Sequence, residues 1–362
     1  MTEASPGARP VGGCPAEGRA RGEQASGKRA SGKWAALRDV ADRMTYRRGG
    51  LIGAPDPAPI HVPGRTPTVL AIHGFCGVPR EVAVVCSAAA SRGLAAHAPL
   101  LAGHGTSPAD LAPLRFDDWV ASVEPLFEEL TARGPVVLAG LSLGSLVAIE
   151  LLLRHLRRGN GAASEEDASG ASTGNGAARG AKGGAVLDGT GSDGTGSDGT
   201  GSDGTGSDGT GFETGAAGRV VGLVLLGNAL WLARPFPGLV LSLVDALKLP
   251  DFGFPKFGTD LGDPETRRDH TTYPSQPVGG AIDVQRAGKR LRAELHRVTC
   301  PTLVLHGALD RTCPVSNAWR VAERLGTTDV QVRVLPRSRH VLTRDVERDQ
   351  VRAAVAEFLA RY

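Results

Sequence analysis

The stretch Pro135-Val-Val-Leu-Ala-Gly-Leu-Ser-Leu-Gly144, continued by Ser145-Leu-Val-Ala-Ile-Glu-Leu-Leu-Leu153, decides the fold. Its first five residues form a short apolar run, which is typical of a buried strand. Its last part has the composition of a helix, which we expect to run from about Leu143 to Arg158. Between them, Gly140-Leu141-Ser142-Leu143-Gly144 fits the pattern G-x-S-x-G, in which a tight strand-to-helix turn exposes the serine. The sequence therefore predicts a strand, a turn that presents Ser142, and a helix.

A second G-x-S-x-G match shows why context matters. Gly170-Ala171-Ser172-Thr173-Gly174 fits the pattern equally well, but no strand precedes it and its surroundings are low in complexity. Ser142 has both the strand and the helix, and a helix N-terminus favours negative charge that develops nearby. We therefore interpret Ser142, and not Ser172, as the candidate nucleophile.

Further apolar runs predict the other strands of a parallel sheet. They alternate with stretches of helical character, such as a helix that Asp117 could cap and that includes Trp119 and Val123. Alternating buried strands and helices favour an α/β fold, in which a mostly parallel sheet is covered by helices on both faces. The predicted strands are Thr68 to Ile72, Leu94 to Pro99, Pro135 to Ala139, Val220 to Leu226, Thr302 to His306 and Val330 to Leu335.

The chain divides into folded and low-complexity parts. Residues 1–48 are rich in Gly, Ala, Arg and Ser, and residues 159–217 include four copies of Asp-Gly-Thr-Gly-Ser from Asp188. Neither stretch has enough apolar surface to offset its ordering entropy, so we expect a disordered tail and a long disordered insertion, which is a low-complexity linker. The folded domain is then 49–158 and 218–362, and residues 228 to about 295, which break the alternation, form a small cap.

Composition narrows the class of protein. The chain of 362 residues has 41 Lys and Arg against 38 Asp and Glu, and the tail alone holds ten basic and five acidic residues. The folded part is therefore slightly acidic, which gives poor grounds for a nucleic-acid partner. The five cysteines form no C-x-x-C pair or disulfide framework. Without a signal peptide or an apolar run long enough to span a membrane, the sequence predicts a cytoplasmic protein with no transmembrane segment.

Two residues are candidates to activate Ser142. A serine hydroxyl needs a base, and the base needs a third group to hold its tautomer. Asp310 follows the strand Thr302 to His306, and His340 follows the strand Val330 to Leu335. Carboxyl ends of parallel strands meet at one edge of a sheet, so we expect the three side chains to lie together. Their order along the chain, Ser, Asp, His, also agrees with the α/β-hydrolase pattern.

An oxyanion would also need hydrogen-bond donors. We expect the backbone N–H groups of Leu143, directly after the nucleophile, and of Phe75, in the loop after the first strong strand, to supply them. Gly74 and Gly77 would let the backbone approach a substrate closely. An ordinary β-turn would account for these glycines but not for a bulky Phe75.

Metal and cofactor chemistry find little support. The nine histidines lack H-E-x-x-H or comparable ligand spacing, so no metal and no cofactor are expected. The Asp-Gly-Thr-Gly-Ser repeats suggest calcium binding, but calcium-binding β-rolls have a nine-residue period with an apolar position, and these repeats have neither. A flexible polar linker is the preferred interpretation.

Taken together, these stretches resemble the bacterial carboxylesterases and monoacylglycerol lipases of the α/β-hydrolase superfamily. The resemblance implies a triad of Ser142, Asp310 and His340, an oxyanion hole of Phe75 and Leu143, and a cap over an apolar acyl pocket. The matching stretches are His73-Gly74-Phe75, Gly103-His104-Gly105, Asp118-Trp119, Ala139 to Gly144, Asp310, and His340-Val341-Leu342-Thr343 with Asp345.

Three features depart from the family pattern. Ser145 stands where such enzymes often have glycine, the insertion of 159–217 is foreign to the pattern, and residues 49–67 are too short for two opening antiparallel strands. We therefore expect a reduced sheet and an altered packing beneath the turn.

The expected activity is the hydrolysis of carboxylic esters, either short to medium acyl esters or monoacylglycerols, with a small-molecule ester as the substrate. The apolar residues of the cap would face an acyl chain, or would pack on the sheet as ordinary core; they are Phe236, Leu239, Val240, Leu241, Leu243, Val244 and Leu247. A thioesterase, an amidase or an acyltransferase would use the same triad, and a ligand-binding protein without turnover could share the fold. Serine at position 142 argues against a dehalogenase, which would have aspartate there. The oligomeric state stays open.

Overall fold

The structure is a computed structural model, and it describes the part of the chain that carries the predicted strands. The tail of residues 1–48, except for 39, 42 and 44–46, and residues 171–218 lie outside the described residues, so the two predicted disordered segments are for the most part not tested. The described ranges from residue 50 onward are 50–53, 56–170, 219–233, 238–248, 251–256 and 258–362, with side chains as far as 159 in the second range.

A seven-stranded, mostly parallel sheet is the centre of the fold, as predicted. Its strand order is β1-β3-β2-β4-β5-β8-β9, and β1 alone runs antiparallel to its neighbour. A separate antiparallel pair is formed by β6 and β7. The strands are β1 (Ile60–Val62), β2 (Arg65–Ile72), β3 (Leu94–Ala98), β4 (Val136–Leu141), β5 (Val220–Leu226), β6 (Gly253–Pro255), β7 (Ser275–Pro277), β8 (Thr302–Gly307) and β9 (Val330–Leu335).

Helices connect these strands and cover both faces of the sheet. Short 3-10 turns follow β2, α7 and β9, at Pro79–Val82, Leu295–Arg297 and Leu342–Arg344. In chain order the helices of the described residues are α1 (Ala83–Ala90), α2 (Pro108–Leu111), α3 (Phe116–Arg133), α4 (Leu143–Gly170), α5 (Gly238–Ala246), α6 (Pro264–Asp269), α7 (Val278–Leu291), α8 (Asn317–Ala322) and α9 (Arg348–Leu359).

All six strands predicted from apolar runs are present, with bounds that differ by three residues at most. The sheet is reduced at its opening edge, as expected. A single antiparallel strand, β1, precedes β2 and pairs with β3 through Ile60 and Ala98. A strand of three residues, none of them fully buried, is too short to show a hydrophobic pattern in the sequence.

The core consists of two apolar layers, one on each face of the sheet. Alternate residues of β4 enter opposite layers: Val136 and Leu138 pack with the inner side of α4, whereas Val137 and Ala139 pack with α1 and α9. This two-residue alternation is what a strand buried on both faces requires. Truncation of a fully buried side chain such as Leu138 to alanine would cost about 2–5 kcal/mol.

Two helix boundaries differ from the sequence prediction. Helix α3 begins at Phe116 after the N-cap residue Arg115, whose backbone N–H donates to the Asp118 carboxylate at 2.8 Å. The prediction that Asp117 caps this helix is therefore wrong; its carboxylate instead forms an ion pair with Arg154 at 2.8 Å.

Helix α4 is the second difference. It continues to Gly170, beyond the predicted end at Arg158, and so takes in the first twelve residues of the predicted linker. This extension contains several glycine and serine residues, and their low helix propensity predicts an earlier end.

The chain between β5 and β8, residues 227–301, crosses the carboxyl edge of the sheet and is called the β5–β8 segment below. It contains α5, α6, α7 and the β6–β7 pair. Helix α7 packs on α3 and α4, and α5 packs on α7 through Leu241 and Val278. Within the described residues, no helix has the length and apolar character needed to cross a bilayer.

Candidate active site

Ser142 occupies a strained turn between β4 and α4. Its φ is +56°, a left-handed conformation that a residue with a side chain adopts at a cost of about 1–2 kcal/mol. The flanking glycines make the turn possible: a Cβ on Gly140 would lie 2.2 Å from the backbone of Gly144, and one on Gly144 would lie 2.1 Å from the carbonyl oxygen of Ile72. The G-x-S-x-G pattern is thus a steric requirement at this site.

Ser145, the first departure from the family pattern, helps to hold this turn. Its side chain is fully buried, and its hydroxyl donates to the carbonyl of Gly140 at 2.7 Å. The N–H of Ser142 donates to Leu226 of the next strand at 2.9 Å. A hydroxyl beneath the turn therefore satisfies a carbonyl that glycine at position 145 would leave without this partner.

The three residues predicted to act together lie in one hydrogen-bonded chain. His340 Nε2 is 2.8 Å from Ser142 Oγ, and His340 Nδ1 is 2.8 Å from Asp310 Oδ2. Since an ionised carboxylate only accepts, Nδ1 carries a proton, and in the neutral ring Nε2 is left to accept the serine proton. This tautomer is assigned from the partners of the ring.

Asp310 is held in place by more than His340. Its Oδ1 accepts the backbone N–H groups of Thr312 and Cys313, each at 2.8 Å, and its Oδ2 lies 3.0 Å from Nε2 of His306. Burial alone would raise the pKa of Asp310, but the adjacent His340 and His306 outweigh it and hold the pKa below its usual range. The carboxylate is therefore ionised and fixed in orientation.

The base has the opposite shift. Burial would lower the pKa of His340, but the charge of Asp310, the adjacent Cys313 and the hydrogen bond to Asp310 together raise it well above 6.5. The imidazolium that would form during proton transfer is thus stabilised by its neighbour.

The loop of His340 is secured by two buried carboxylates that sequence reasoning did not assign a role. Asp345 accepts the N–H of Arg339 at 2.7 Å and that of Gly262, in the β5–β8 segment, at 2.9 Å. Glu347 accepts the hydroxyl of Ser338 at 2.7 Å. These bonds tie the two residues before His340 to carboxylates that follow it in the chain.

The two N–H groups predicted to hold an oxyanion are available. Among the described residues, neither the N–H of Phe75 nor that of Leu143 donates to another backbone or side-chain atom. The Phe75 ring packs on Trp119, with ring centroids 5.2 Å apart, and an added Cβ on Gly280 would lie 2.7 Å from it. This packing explains why a bulky residue stands at position 75, which an ordinary β-turn would not explain.

A cavity of about 130 Å³ lies over Ser142 and is called the Ser142 cavity. Its wall includes Ser142, His340, Phe75 and polar groups of Glu81 and Lys256. A larger cavity of about 390 Å³, the apolar cavity, shares six wall residues with it: Leu241, Ala281, Lys256, Asp260, Gln276 and Thr312. Its further apolar lining is Val240, Val244, Phe252, Phe254, Pro255 and Val278.

The predicted apolar lid residues divide into two groups. Val240, Leu241 and Val244 line the apolar cavity. Leu239, Leu243 and Leu247 are exposed to 57%, 58% and 60%, so they neither face the cavity nor pack on the sheet. Phe236 lies outside the described residues.

One group of side chains could offer ligands to a metal ion. Asp310, Cys313 and His340 each present a ligand atom, and these atoms lie within 4.8 Å of one another. However, His340 Nδ1 and Asp310 Oδ2 already bond each other at 2.8 Å, and burial raises the pKa of the Cys313 thiol. A metal ion would have to replace the bond that orients His340.

His306, Cys313 and Glu81 were missed by sequence reasoning. His306 stands four residues before Asp310 in a strand that reads as ordinary core, so only the turn after β8 brings its ring onto the carboxylate. Glu81 lies in a 3-10 turn and is only 5% exposed. Its carboxylate accepts the N–H of Gly74 at 3.0 Å, and a spacing of seven residues along the chain gives no sequence signal for such a contact.

Comparison with known proteins assigns the family. The family model described as the alpha/beta hydrolase family matches residues 69–355. The thermostable monoacylglycerol lipase of Bacillus sp. (strain H-257) is 22% identical over 295 residues, which is 81% of this chain and 90% of that protein. A carboxylesterase of Bacillus subtilis (strain 168) is 33% identical over 97 residues, covering 26% of this chain and 39% of that protein.

A solved structure supports the fold independently. It belongs to work on LipS and LipT, two metagenome-derived lipolytic enzymes, and it matches 86% of this chain and 100% of its own at a TM-score of 0.62 and 20% identity. Since the family model spans well over half of the sequence and includes the strand-turn-helix around Ser142, the chain belongs to the alpha/beta hydrolase family.

Proposed function

We propose that the protein is a serine hydrolase that cleaves carboxylic esters, with Ser142 as nucleophile, His340 as general base and Asp310 as the orienting acid. The observation that carries this proposal is the chain of two 2.8 Å hydrogen bonds from Asp310 through His340 to Ser142. A partly buried, strained serine that is bonded to a fixed imidazole is the arrangement that nucleophilic catalysis requires.

The proposed reaction is acyl transfer in two steps. Ser142 Oγ attacks the ester carbonyl while His340 Nε2 takes its proton, and the N–H groups of Phe75 and Leu143 donate to the oxyanion. The tetrahedral intermediate collapses, and His340 protonates the departing alcohol. Water then attacks the acyl-enzyme with His340 again as base, which releases the acid and restores Ser142.

The shape of the site supports an apolar acyl group. Along the wall that includes Leu241 and Ala281, the Ser142 cavity adjoins the apolar cavity of about 390 Å³. Esters of short to medium acyl chains and monoacylglycerols fit this description, and the names of the two Bacillus relatives agree with it. In this proposal the β5–β8 segment acts as the cap that selects the acyl chain.

Labelling with a fluorophosphonate tests the proposal most directly. We expect one adduct, at Ser142, and none in the Ser142→Ala variant, whose turnover of p-nitrophenyl esters should fall by about 10⁴-fold or more at nearly unchanged stability. A Ser172→Ala variant is the matched control, because Ser172 lies in the other G-x-S-x-G sequence, and it should keep full activity. A folded protein that takes no label at Ser142 would instead favour a ligand-binding role.

A substrate panel separates ester hydrolysis from other chemistry on the same triad. p-Nitrophenyl esters of increasing chain length should be compared with monoacylglycerols, thioesters and an added acyl acceptor. We expect the esters to have the highest kcat/KM. A thioester that exceeds every ester would reassign the activity to a thioesterase, and product formed on the acceptor would reassign it to an acyltransferase.

A further inference from the structure

The peptides on either side of Gly74 are both held by hydrogen bonds. The N–H of Gly74 donates to Glu81 Oε2 at 3.0 Å, and the carbonyl of Gly74 accepts from the N–H of Gly77 at 3.1 Å and from His73 Nδ1 at 2.9 Å. The N–H of Phe75 belongs to the same planar peptide as that carbonyl and points the opposite way. The direction of the Phe75 N–H is therefore set by the contacts of Gly74.

His73 is one of the two side chains that fix this loop. Its Nε2 accepts the N–H of Leu101 at 3.1 Å, so Nδ1 must be the protonated nitrogen that donates to Gly74. Burial lowers the pKa of His73 to about 4, and the ring is therefore neutral near pH 7.

Glu81 is the other, and the sequence makes room for it. A Cβ on Gly77 would lie 2.1 Å from Glu81 Oε2, so the missing side chain at position 77 admits the carboxylate. The sequence interpretation was that Gly77 lets a substrate approach; the structure shows that its missing side chain makes room for Glu81. Gly74 fits that interpretation better, because a Cβ there would lie 3.5 Å from the Cβ of Ser142.

The surroundings of Glu81 include charged and titratable groups from three parts of the chain. His270 Nε2, in the chain after α6, lies 3.4 Å from Glu81 Oε1, and burial lowers the pKa of His270 to about 3, so its ring is neutral near pH 7. Lys256 after β6, and His340 and Arg344 after β9, favour the ionised carboxylate. Burial acts against them and is larger, so the pKa of Glu81 is raised.

A buried carboxylate is expensive, since an apolar side chain of similar size would avoid its desolvation cost. Glu81 also lines the Ser142 cavity, next to the proposed nucleophile. These two facts call for a role beyond stability.

We propose that Glu81 is a positioning residue, whose carboxylate holds the Gly74 amide so that the Phe75 N–H stays aimed at the oxyanion formed on attack by Ser142. This inference rests on the proposed function, because it assigns Glu81 a part in the same reaction. Glu81 itself touches no reacting atom in that scheme and acts through the loop.

Variants of Glu81 test the inference through ligands that differ in their need for the oxyanion hole. Glu81→Ala should lower kcat by about 10²-fold with little change in KM, because removal of one oxyanion donor typically costs about 10²–10³-fold. It should weaken inhibition by a trifluoromethyl ketone, which forms a tetrahedral adduct, by the same factor. Binding of the corresponding alcohol, which forms no adduct, should be unchanged. Glu81→Gln should lower kcat by only a few-fold, because its amide oxygen still accepts from Gly74.

A matched control separates positioning from stability. Glu150 is another buried glutamate, 1% exposed, but its partners on α4 and α7 are Arg154 at 2.9 Å and Arg290 at 3.1 Å. Glu150→Gln should lower Tm and leave kcat and ketone inhibition unchanged. If Glu81→Ala is too unstable to assay, the ratio of ketone to alcohol affinity in Glu81→Gln serves instead, and we expect it to fall by a few-fold.

Two outcomes would overturn the inference: an unchanged kcat in folded Glu81→Ala, or an equal loss of affinity for the ketone and the alcohol. An unchanged ketone-to-alcohol ratio in Glu81→Gln would do the same where the alanine variant does not fold. Failure of the proposed function has a different signature, since it would leave wild-type protein unlabelled at Ser142 and inactive on every ester.

Discussion

The carboxyl edge of the sheet and the β5–β8 segment both line the Ser142 cavity, but they are specified in different ways. At the edge, Ser142, Asp310 and His340 follow three parallel strands, and the direction of the strands brings them together. In the β5–β8 segment, the position of Leu241 depends on how α5 lies on α7, and no sheet register fixes it. In the proposed mechanism, the chemistry therefore resides at the carboxyl edge of the sheet, called the rigid region below, and the selectivity resides in the β5–β8 segment.

The largest expected effect comes from a substitution of Asp310, whose side chain is less exposed than that of His340. Asp310→Asn should lower kcat by about 10⁴-fold. The amide oxygen would take the N–H groups of Thr312 and Cys313, which turns its NH₂ group toward His340 and forces the proton onto the wrong nitrogen. Steady-state rates on a p-nitrophenyl ester measure the loss. Asp329→Asn, at an exposed ion pair with Arg361, is the control and should retain wild-type kcat. A loss of less than tenfold at position 310 would remove Asp310 from the triad.

The pH profile sharpens the same region. His340 must be neutral to accept a proton, and its pKa is raised well above 6.5, because Asp310 and Cys313 together outweigh the effect of burial. Thus kcat/KM should fall about tenfold per pH unit below the pKa of His340 and level off above it. In Asp310→Asn the charge is absent and burial remains, so the acid limb should move to lower pH while the plateau drops. Rates measured from about pH 5 to about pH 10 would show this, and a limb that stays in place would contradict the assigned pairing.

Sequence reasoning reached the rigid region because each of its signals is local. The apolar runs of β4, β8 and β9 are short and local, and Ser142, Asp310 and His340 come one, three and five residues after their ends. The same reasoning missed His306 and Glu81, since their roles arise from turns that carry them onto Asp310 and Gly74. The periodicity of a sequence does not predict which group a buried polar side chain will bind.

The packing of helices in the β5–β8 segment explains why the sequence could not specify which apolar side chains line the cavity. An apolar run such as that of α5 predicts a helix, but not which of its faces meets α7. Leu241 is 8% exposed, whereas Leu243, two residues on, is 58% exposed. The predicted cap at Asp117 is wrong for a different reason. Asp118 lies next to it, and local composition does not show which of the two carboxylates accepts the N–H of Arg115.

A smaller effect is expected from filling the apolar cavity. Leu241→Trp should lower kcat/KM for medium-chain p-nitrophenyl esters by about tenfold and leave the acetate ester unaffected, since a pocket discriminates by about 1–3 kcal/mol per methylene. Leu243→Trp is the matched control on the same helix, and its exposed side chain should change neither substrate. Should both variants behave alike, or should Leu241→Trp impair acetate and longer esters equally, the apolar cavity would not be the acyl pocket.

The smallest effect should come from the chain between α4 and β5. The part of α4 beyond Arg158 comprises twelve residues, or about 18 Å at 1.5 Å per residue, so about six extended residues suffice to return along it. Replacing residues 171–217 by a ten-residue Gly/Ser connector should leave kcat and KM within about twofold, because the proposed catalytic groups all come from other parts of the chain. Loop closure should become easier by about 1 kcal/mol, since each halving of loop length contributes about 0.6 kcal/mol. Urea unfolding with parallel ester assays would measure both quantities, and a folded variant that has lost activity would show that this stretch contributes to the site.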